Sequence, residues 1–200
     1  MIKRLKNKVI VSVQAMPNEP LYAENCMIAM MKSVVKGGAG GLRVAGIRDV
    51  KNAKQITDIP VIGITKPEVI PTNFKEIVYI TPSLNDVISL VEAGADIIAF
   101  DGTQRPRPNK LSEIIKYIHI NQKVAMADIS TLNEGIEAAK LGADIISTTL
   151  SDYYTHSGKV DTDLILQIKE LGLPVSPGND RLTTTLPKSQ LGFINFVVGP

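Results

Sequence analysis

Four short apolar runs in this chain each follow a glycine-rich turn: GGAGGLRV (37–44), GADIIAFD (94–101), GADIISTT (142–149) and LGFINFVVG (191–199). Two of them share the string GADII. A glycine just past a helix end supplies the left-handed position that closes the helix. The β-branched run behind it reads as a buried parallel strand. Four further apolar runs, VIVSVQA (9–15), IPVIGITK (59–66), KVAMADI (123–129) and LPVSPG (173–178), alternate with the first set. Eight strands result, and recurrence at roughly the length of two βα units is the signature of a repeated architecture.

The segments between the strands carry helix signals. Thr131-Leu132-Asn133-Glu134 has the form of a capping box, and Gly142 closes that helix; Ser83 with Asp86 opens another, closed by Gly94. Segments 23–36, 47–56, 110–120 and 161–171 place apolar residues at helical spacing. Eight buried strands alternating with helices predict an α/β chain folded as a (β/α)8 barrel, one domain over 1–200. A doubly wound open sheet is the alternative, but nothing marks the switch point it needs. The apolar piece IVYIT (77–81) is assigned to a loop over the barrel mouth.

Composition excludes several functions. Twenty-two Lys+Arg against twenty Asp+Glu leave a net charge of +2, too small and too scattered for a nucleic-acid surface. With no Trp, a stacking platform for single strands is not expected either. Cys26 is the single cysteine, so an internal disulfide is impossible; it reads as a small apolar residue of the first helix. No stretch reaches the ~20 apolar residues of a membrane span, and the basic N-terminus lacks a cleavage pattern, so a cytoplasmic protein is expected.

Barrel active sites lie at the C-terminal ends of the strands. Those ends carry Gln14, Arg43, Lys66, Asp101, Asp128, Thr148 with Thr149, then Gly178-Asn179-Asp180 and Gly199. Six successive strands ending in polar residues point to a site. Its strand ends hold no histidine; His119 is assigned to the surface, and His119 with His156 makes no zinc site. Asp101 and Asp128 are a weak pattern for magnesium, so no metal is expected. Lys66 is the candidate catalytic residue: partial desolvation and the charge of Arg43 lower its pKa toward that of a useful base. Proton abstraction beside a carbonyl and Schiff-base formation both remain open, as does a structural role in which Lys66 neutralises Asp101 or Asp128. Arg105 and Arg107 are read as surface residues.

Several strings are similar to one family. SVQAMPNEPL (12–21), GGAGGLRVAG (37–46), PVIGITK (60–66), YITPS (79–83), AFDGTQRPRP (99–108), MADIST (126–131) and STTLSDYYT (147–155) occur in the order found in the N-acylglucosamine-6-phosphate 2-epimerases. The resemblance runs from about residue 9 to about residue 173. It implies a TIM barrel of the phosphate-binding type and a sugar phosphate as substrate. It also implies interconversion of N-acetylmannosamine 6-phosphate and N-acetylglucosamine 6-phosphate, in sialic-acid and amino-sugar breakdown, by moving the C2 proton without a cofactor. Carried over, Lys66 is an acid/base; Gln14, Arg43 and Asp128 hold the sugar and its developing negative charge; Thr149 and Tyr153 line the mouth. Gly178 and Gly199 belong to the phosphate cradle, and a homodimer is left open.

The chain departs from this pattern in its last quarter. Pro177 stands nearest the place of the family's second acid/base, a glutamate, and Asp152 replaces a glycine. The chain ends at Gly199-Pro200, where the family continues into a final helix, so the last helix is expected to be missing. The alternatives to a fully active epimerase are an impaired one and a non-catalytic sugar-phosphate-binding relic.

Overall fold

A computed structural model describes residues 1–151, 161–170, 172, 174–176 and 195–198. Eight parallel strands form its sheet: β1 (Val9–Val13), β2 (Gly41–Ala45), β3 (Val61–Ile64), β4 (Ile97–Asp101), β5 (Val124–Asp128), β6 (Ile145–Ser147), β7 (Val175–Ser176) and β8 (Asn195–Val198). Helices α1 (Glu24–Lys36), α2 (Ile47–Ile56), α3 (Leu84–Glu92), α4 (Leu111–Ile120), α5 (Leu132–Lys140) and α6 (Thr162–Glu170) alternate with them. Strand order is β7-β6-β5-β4-β3-β2-β1-β8. Sequence order is kept across the sheet, and β8 returns to the free side of β1. That order belongs to a (β/α)8 barrel and excludes the open doubly wound sheet, whose order reverses midway.

Alternation along each strand divides the apolar side chains into two cores. Val11, Val13, Leu42, Val44, Ile98, Phe100, Ala125, Ala127 and Ile146 face outward against the helices. Ile10, Ile62, Ile64, Ile97, Ala99, Met126 and Ile145 fill the lumen. Leu5, from the turn that precedes β1, is fully buried in this inner set and plugs the base of the barrel. A Cβ on Gly41 would stand 2.9 Å from the Leu5 side chain, so the glycine makes room for the plug.

Both capping boxes form, on Ser83 with Asp86 and on Thr131 with Glu134. The repeated GADII string does more than start a strand. Gly94 and Gly142 turn the chain out of α3 and α5 with φ of 92° and 101°. Each following aspartate then grips the first residues of the strand before it. Asp96 Oδ2 accepts from the Val61 amide at 2.9 Å and from Lys54 Nζ at 2.8 Å. Asp144 Oδ2 accepts from the Ala125 amide at 2.8 Å and lies 2.9 Å from His119 Nε2. Each aspartate also donates its backbone amide to the carbonyl of that same strand residue, at 2.9 Å. These are two copies of one clasp at the N-terminal rim. Asp96→Ala should cost roughly 1–3 kcal/mol in urea unfolding, because it strands a buried amide and a lysine. Asp144→Ala should cost less, since its carboxylate is 33% exposed against 14% for Asp96. Equal or reversed losses would show that the amides are not held by these carboxylates.

The segment 77–81 does not lie over the mouth; it enters the barrel wall. The ladder between β3 and β4 pairs Ile62 with Ile97 and Gly63 with Ile98. Beyond it, Thr81 donates its amide to the Thr65 carbonyl at 3.0 Å, and the Thr65 amide returns to Thr81 Oγ1 at 3.1 Å. On the other side, the Asp101 amide reaches the Ile80 carbonyl at 3.3 Å. Residues 80 and 81 are thus wedged between the ends of β3 and β4. Val78, Tyr79, Ile80 and Thr81 are buried, and Tyr79 and Ile80 join the lumen core.

Candidate active site

Above the apolar layers, the lumen turns polar. Ser12 and Arg43 are register partners on β1 and β2, and Asp101, Asp128, Ser147 and Ser176 are successive partners from β4 to β7. All six side chains are buried. Such groups are tolerable inside a protein only when paired. Arg43 meets this requirement by crossing the lumen. Its guanidinium donates from Nη1 and Nη2 to the two carboxylate oxygens of Asp128, at 3.1 and 2.6 Å. The fork geometry matches the carboxylate, and both charges are almost wholly out of water.

Lys66 follows β3 on the lumen side, one layer above Ile64. Among the described residues its ammonium makes no hydrogen bond or ion pair. Burial and the positive charge of Arg43 lower its pKa from 10.5 to about 8, against a smaller opposing pull from Asp128 and Glu19. Lys66 therefore does not neutralise Asp128, which Arg43 occupies, nor Asp101, which two other arginines hold. The effect of Arg43 on Lys66 is the one expected from their adjacent strand ends.

Gln14 extends the polar layer just past β1. Its Nε2 donates to Ser12 Oγ at 2.5 Å, while its Oε1 is buried with no partner among the described residues. A buried amide oxygen left open costs free energy until something donates to it. Across the mouth, Ser147 Oγ and Thr149 Oγ1 share a hydrogen bond of 2.6 Å. Gln14, Arg43, Lys66, Asp128 and Thr149 thus lie on or just past β1, β2, β3, β5 and β6, around one mouth. Thr148 is buried and gives its amide to the Ser176 carbonyl at 3.2 Å. Asp152, Tyr153, His156, Pro177, Gly178, Asn179, Asp180 and Gly199 lie outside the described residues.

Asp101 is fastened rather than open to a ligand. Its carboxylate accepts from the Thr103 amide and hydroxyl at 2.9 and 2.6 Å and bonds Arg105 Nη2. Burial still pushes its carboxyl above the ordinary carboxylate value. Arg105 and Arg107, read from the sequence as surface residues, are 12% and 11% exposed. Arg105 also donates to the Phe74 carbonyl at 2.7 Å, and Arg107 to the Asp101 carbonyl at 2.6 Å. Long side chains at loop positions default to solvent; here a buried carboxylate and unpaired loop carbonyls draw them in. His119 is exposed, as expected. No group of three or more His, Cys, Asp or Glu suited to a metal ion occurs among the described residues. No helix among them is long and apolar enough to cross a membrane.

The sequence reading also left out Ser12, Ser147, Ser176 and Glu19. Serines inside apolar strands carry no motif, although Ser12 and Ser147 fall in phase with the inward positions. Glu19 sits in the connection after β1, where its Oε2 accepts from the Met16 amide at 2.7 Å.

Known proteins are similar to this chain in sequence and fold. Residues 27–178 match a family model described as "Putative N-acetylmannosamine-6-phosphate epimerase" (NanE). A "Putative N-acetylmannosamine-6-phosphate 2-epimerase" of Clostridioides difficile is 39% identical over all of this chain and 91% of its own length. One of Clostridium perfringens, also 39% identical, is covered to 92%. The solved N-acetylmannosamine-6-phosphate 2-epimerase of Clostridium perfringens superposes with a TM-score of 0.88 at 34% identity, over 98% of this chain and 88% of that one. A thiamine phosphate pyrophosphorylase from Pyrococcus furiosus, at 16% identity and a TM-score of 0.62, shares the fold alone. With this coverage and identity, the chain belongs to the N-acetylmannosamine-6-phosphate 2-epimerase family.

Proposed function

We propose that the chain interconverts N-acetylmannosamine 6-phosphate and N-acetylglucosamine 6-phosphate by removing and returning the proton at C2 of the open-chain sugar. The observation that carries this reading is a desolvated lysine at the mouth, unpaired among the described residues, beside an arginine locked onto a buried aspartate. Family membership supplies the substrate. In the forward step the neutral Lys66 amine takes the C2 proton and becomes an ammonium. The C2–H electron pair moves into the C1–C2 bond, and the carbonyl pair moves onto the C1 oxygen. The cation Arg43 would meet that oxyanion, while the open Oε1 of Gln14 can accept only from a donor of the sugar, a hydroxyl or the N-acetyl N–H. Return of the proton from the opposite face completes epimerisation, and no cofactor enters the balance. Asp128 orients Arg43, and Thr149 and Tyr153 line the mouth. Gly178 and Gly199 are assigned to the phosphate. The same reading takes residues 1–200 as one catalytic domain working in the cytoplasm, with no nucleic acid or membrane as partner and a homodimer left open.

Proton NMR in D2O tests this, by following C2 exchange and epimer formation together on each sugar phosphate. Exchange should be catalysed. Its kcat/KM should rise about tenfold per pH unit below the lysine pKa and level off near pH 8, because the neutral amine is the active form. Pro177 cannot carry a proton, so epimerisation should lag exchange by about 10²–10⁴-fold. Pro177→Glu should narrow that gap. Epimerisation as fast as exchange would mean that a second acid/base is already present. Tight binding with no exchange at any pH would favour the sugar-phosphate-binding relic over the enzyme.

A further inference from the structure

The wall of the barrel is open where chemistry needs it closed. β3 and β4 separate above Gly63 and Ile98, just below Lys66. The gap is filled by a foreign piece of backbone, Ile80-Thr81, bonded to Thr65 on one side and Asp101 on the other. Thr81 is held there at φ 45°, a left-handed conformation that a β-branched residue resists. Such strain persists only where the surroundings over-determine it. The fastening comes from Arg105. It spans Asp101 at the end of β4, Thr103 Oγ1 at 2.9 Å and the Phe74 carbonyl at 2.7 Å. Phe74 in turn packs edge-on against Tyr79, with ring centroids 6.2 Å apart. The Val78 amide reaches the Pro106 carbonyl, between the two arginines. One guanidinium therefore ties the root of the wedge to the strand beside which the wedge is inserted.

We propose that Arg105 is a positioning residue, the latch that keeps the 78–81 wedge in the gap between β3 and β4 and so keeps water off the Lys66 ammonium. This rests on the reading of Lys66 as the base. Among the described residues, the charged groups that face Lys66 are Arg43 from β2, Asp128 from β5 and Glu19 from the connection after β1. Arg105 is not among them. Its loss therefore acts on Lys66 by admitting water and not by removing a neighbouring charge. Arg105→Lys keeps one positive charge beside Asp101 but cannot span the three acceptors. Thr81→Ala loosens the wedge from the other side, by removing the oxygen that accepts the Thr65 amide, and leaves the Asp101 cluster alone.

The test reads Lys66 directly. Lysines are reductively methylated with ¹³C-formaldehyde, and the methyl resonance absent from Lys66→Ala is titrated in the unsubstituted protein, Arg105→Lys and Thr81→Ala. The midpoint should rise from about 8 toward 10.5 in both variants. The pH at which C2 exchange levels off should move up with it, while saturating substrate binds with little change. An unmoved midpoint in either folded variant overturns the latch. That result would leave the base assignment standing, provided Lys66→Ala still abolishes exchange. A Lys66→Ala protein that exchanges normally sinks the base assignment itself, whatever the midpoints do.

Discussion

Lys66→Ala should lower C2 exchange by at least about 10²–10⁴-fold while leaving the fold intact. The size of the effect follows from geometry: among the described residues no other amine stands unpaired at the mouth, and Arg43 cannot give up a proton near neutral pH. Far-ultraviolet circular dichroism would check the fold, and the D2O assay the rate. A second readout separates a base from an ornament. The folded state holds the Lys66 pKa at about 8 against an ordinary 10.5, so at neutral pH the unfolded chain binds that proton more tightly. Linkage then makes stability rise with pH between those two values, and makes the charged lysine a burden below them. Lys66→Met, which fills similar space without charge, should therefore raise stability at pH 7 by about 1–3 kcal/mol in urea unfolding. The gain should fade as pH rises from about 8 to 10.5. A variant that is both inactive and less stable at pH 7 would contradict this account of Lys66.

Asp128→Ala should be the most damaging single change to the barrel. It leaves the Arg43 guanidinium, 4% exposed, with its main counter-charge gone. Breaking a buried pair from one side typically costs about 3–5 kcal/mol, much of it the penalty on the charge left behind. Removing both partners is a different experiment. Arg43→Met with Asp128→Leu should recover most of that loss, because two apolar side chains need no pairing. The double variant should nevertheless show no exchange, since the oxyanion would meet no cation. Urea midpoints for the two single variants and the double variant, with the D2O assay on each, decide the point. Full stability in Asp128→Ala would mean that Arg43 has another buried partner of equal strength. Activity in the stable double variant would remove the pair from the mechanism.

The strands, the two capping boxes and the polar strand ends were legible because they are set by local rules. Period, caps and glycine positions act over a few residues, and successive strand–helix units repeat them. The wedge was not legible. IVYIT has the composition of a strand or a covered loop, and nothing within it says that β3 and β4 will diverge just before Lys66. Nor does the string RPRP announce burial. The acceptors of Arg105 include a carbonyl 31 residues away, and that pairing exists only once the wedge is in place. The choice of Arg43 as the partner of Asp128 belongs to the same class. Arg43 and Lys66 end adjacent strands, and the stagger of the barrel decides which of them reaches across. Ser12 and Ser147 sat in phase with the inward positions, but a lone serine in an apolar run is too common to single out.

The two aspartate clasps at the base have a consequence for how the barrel is made. Each joins partners close along the chain: Val61 to Asp96, 35 residues apart, and Ala125 to Asp144, 19 residues apart. Closing a short loop is entropically cheap, and contacts between near neighbours form early. The β3–β4 and β5–β6 pairs can each be sealed at the base as soon as the second strand of the pair leaves the ribosome. They need not wait for β8 to find β1. A long parallel sheet is slow to assemble as a whole and exposes apolar edges while it waits. Sealing it two strands at a time shortens that exposure, and it places the early, sturdy contacts at the end of the strands away from the mouth.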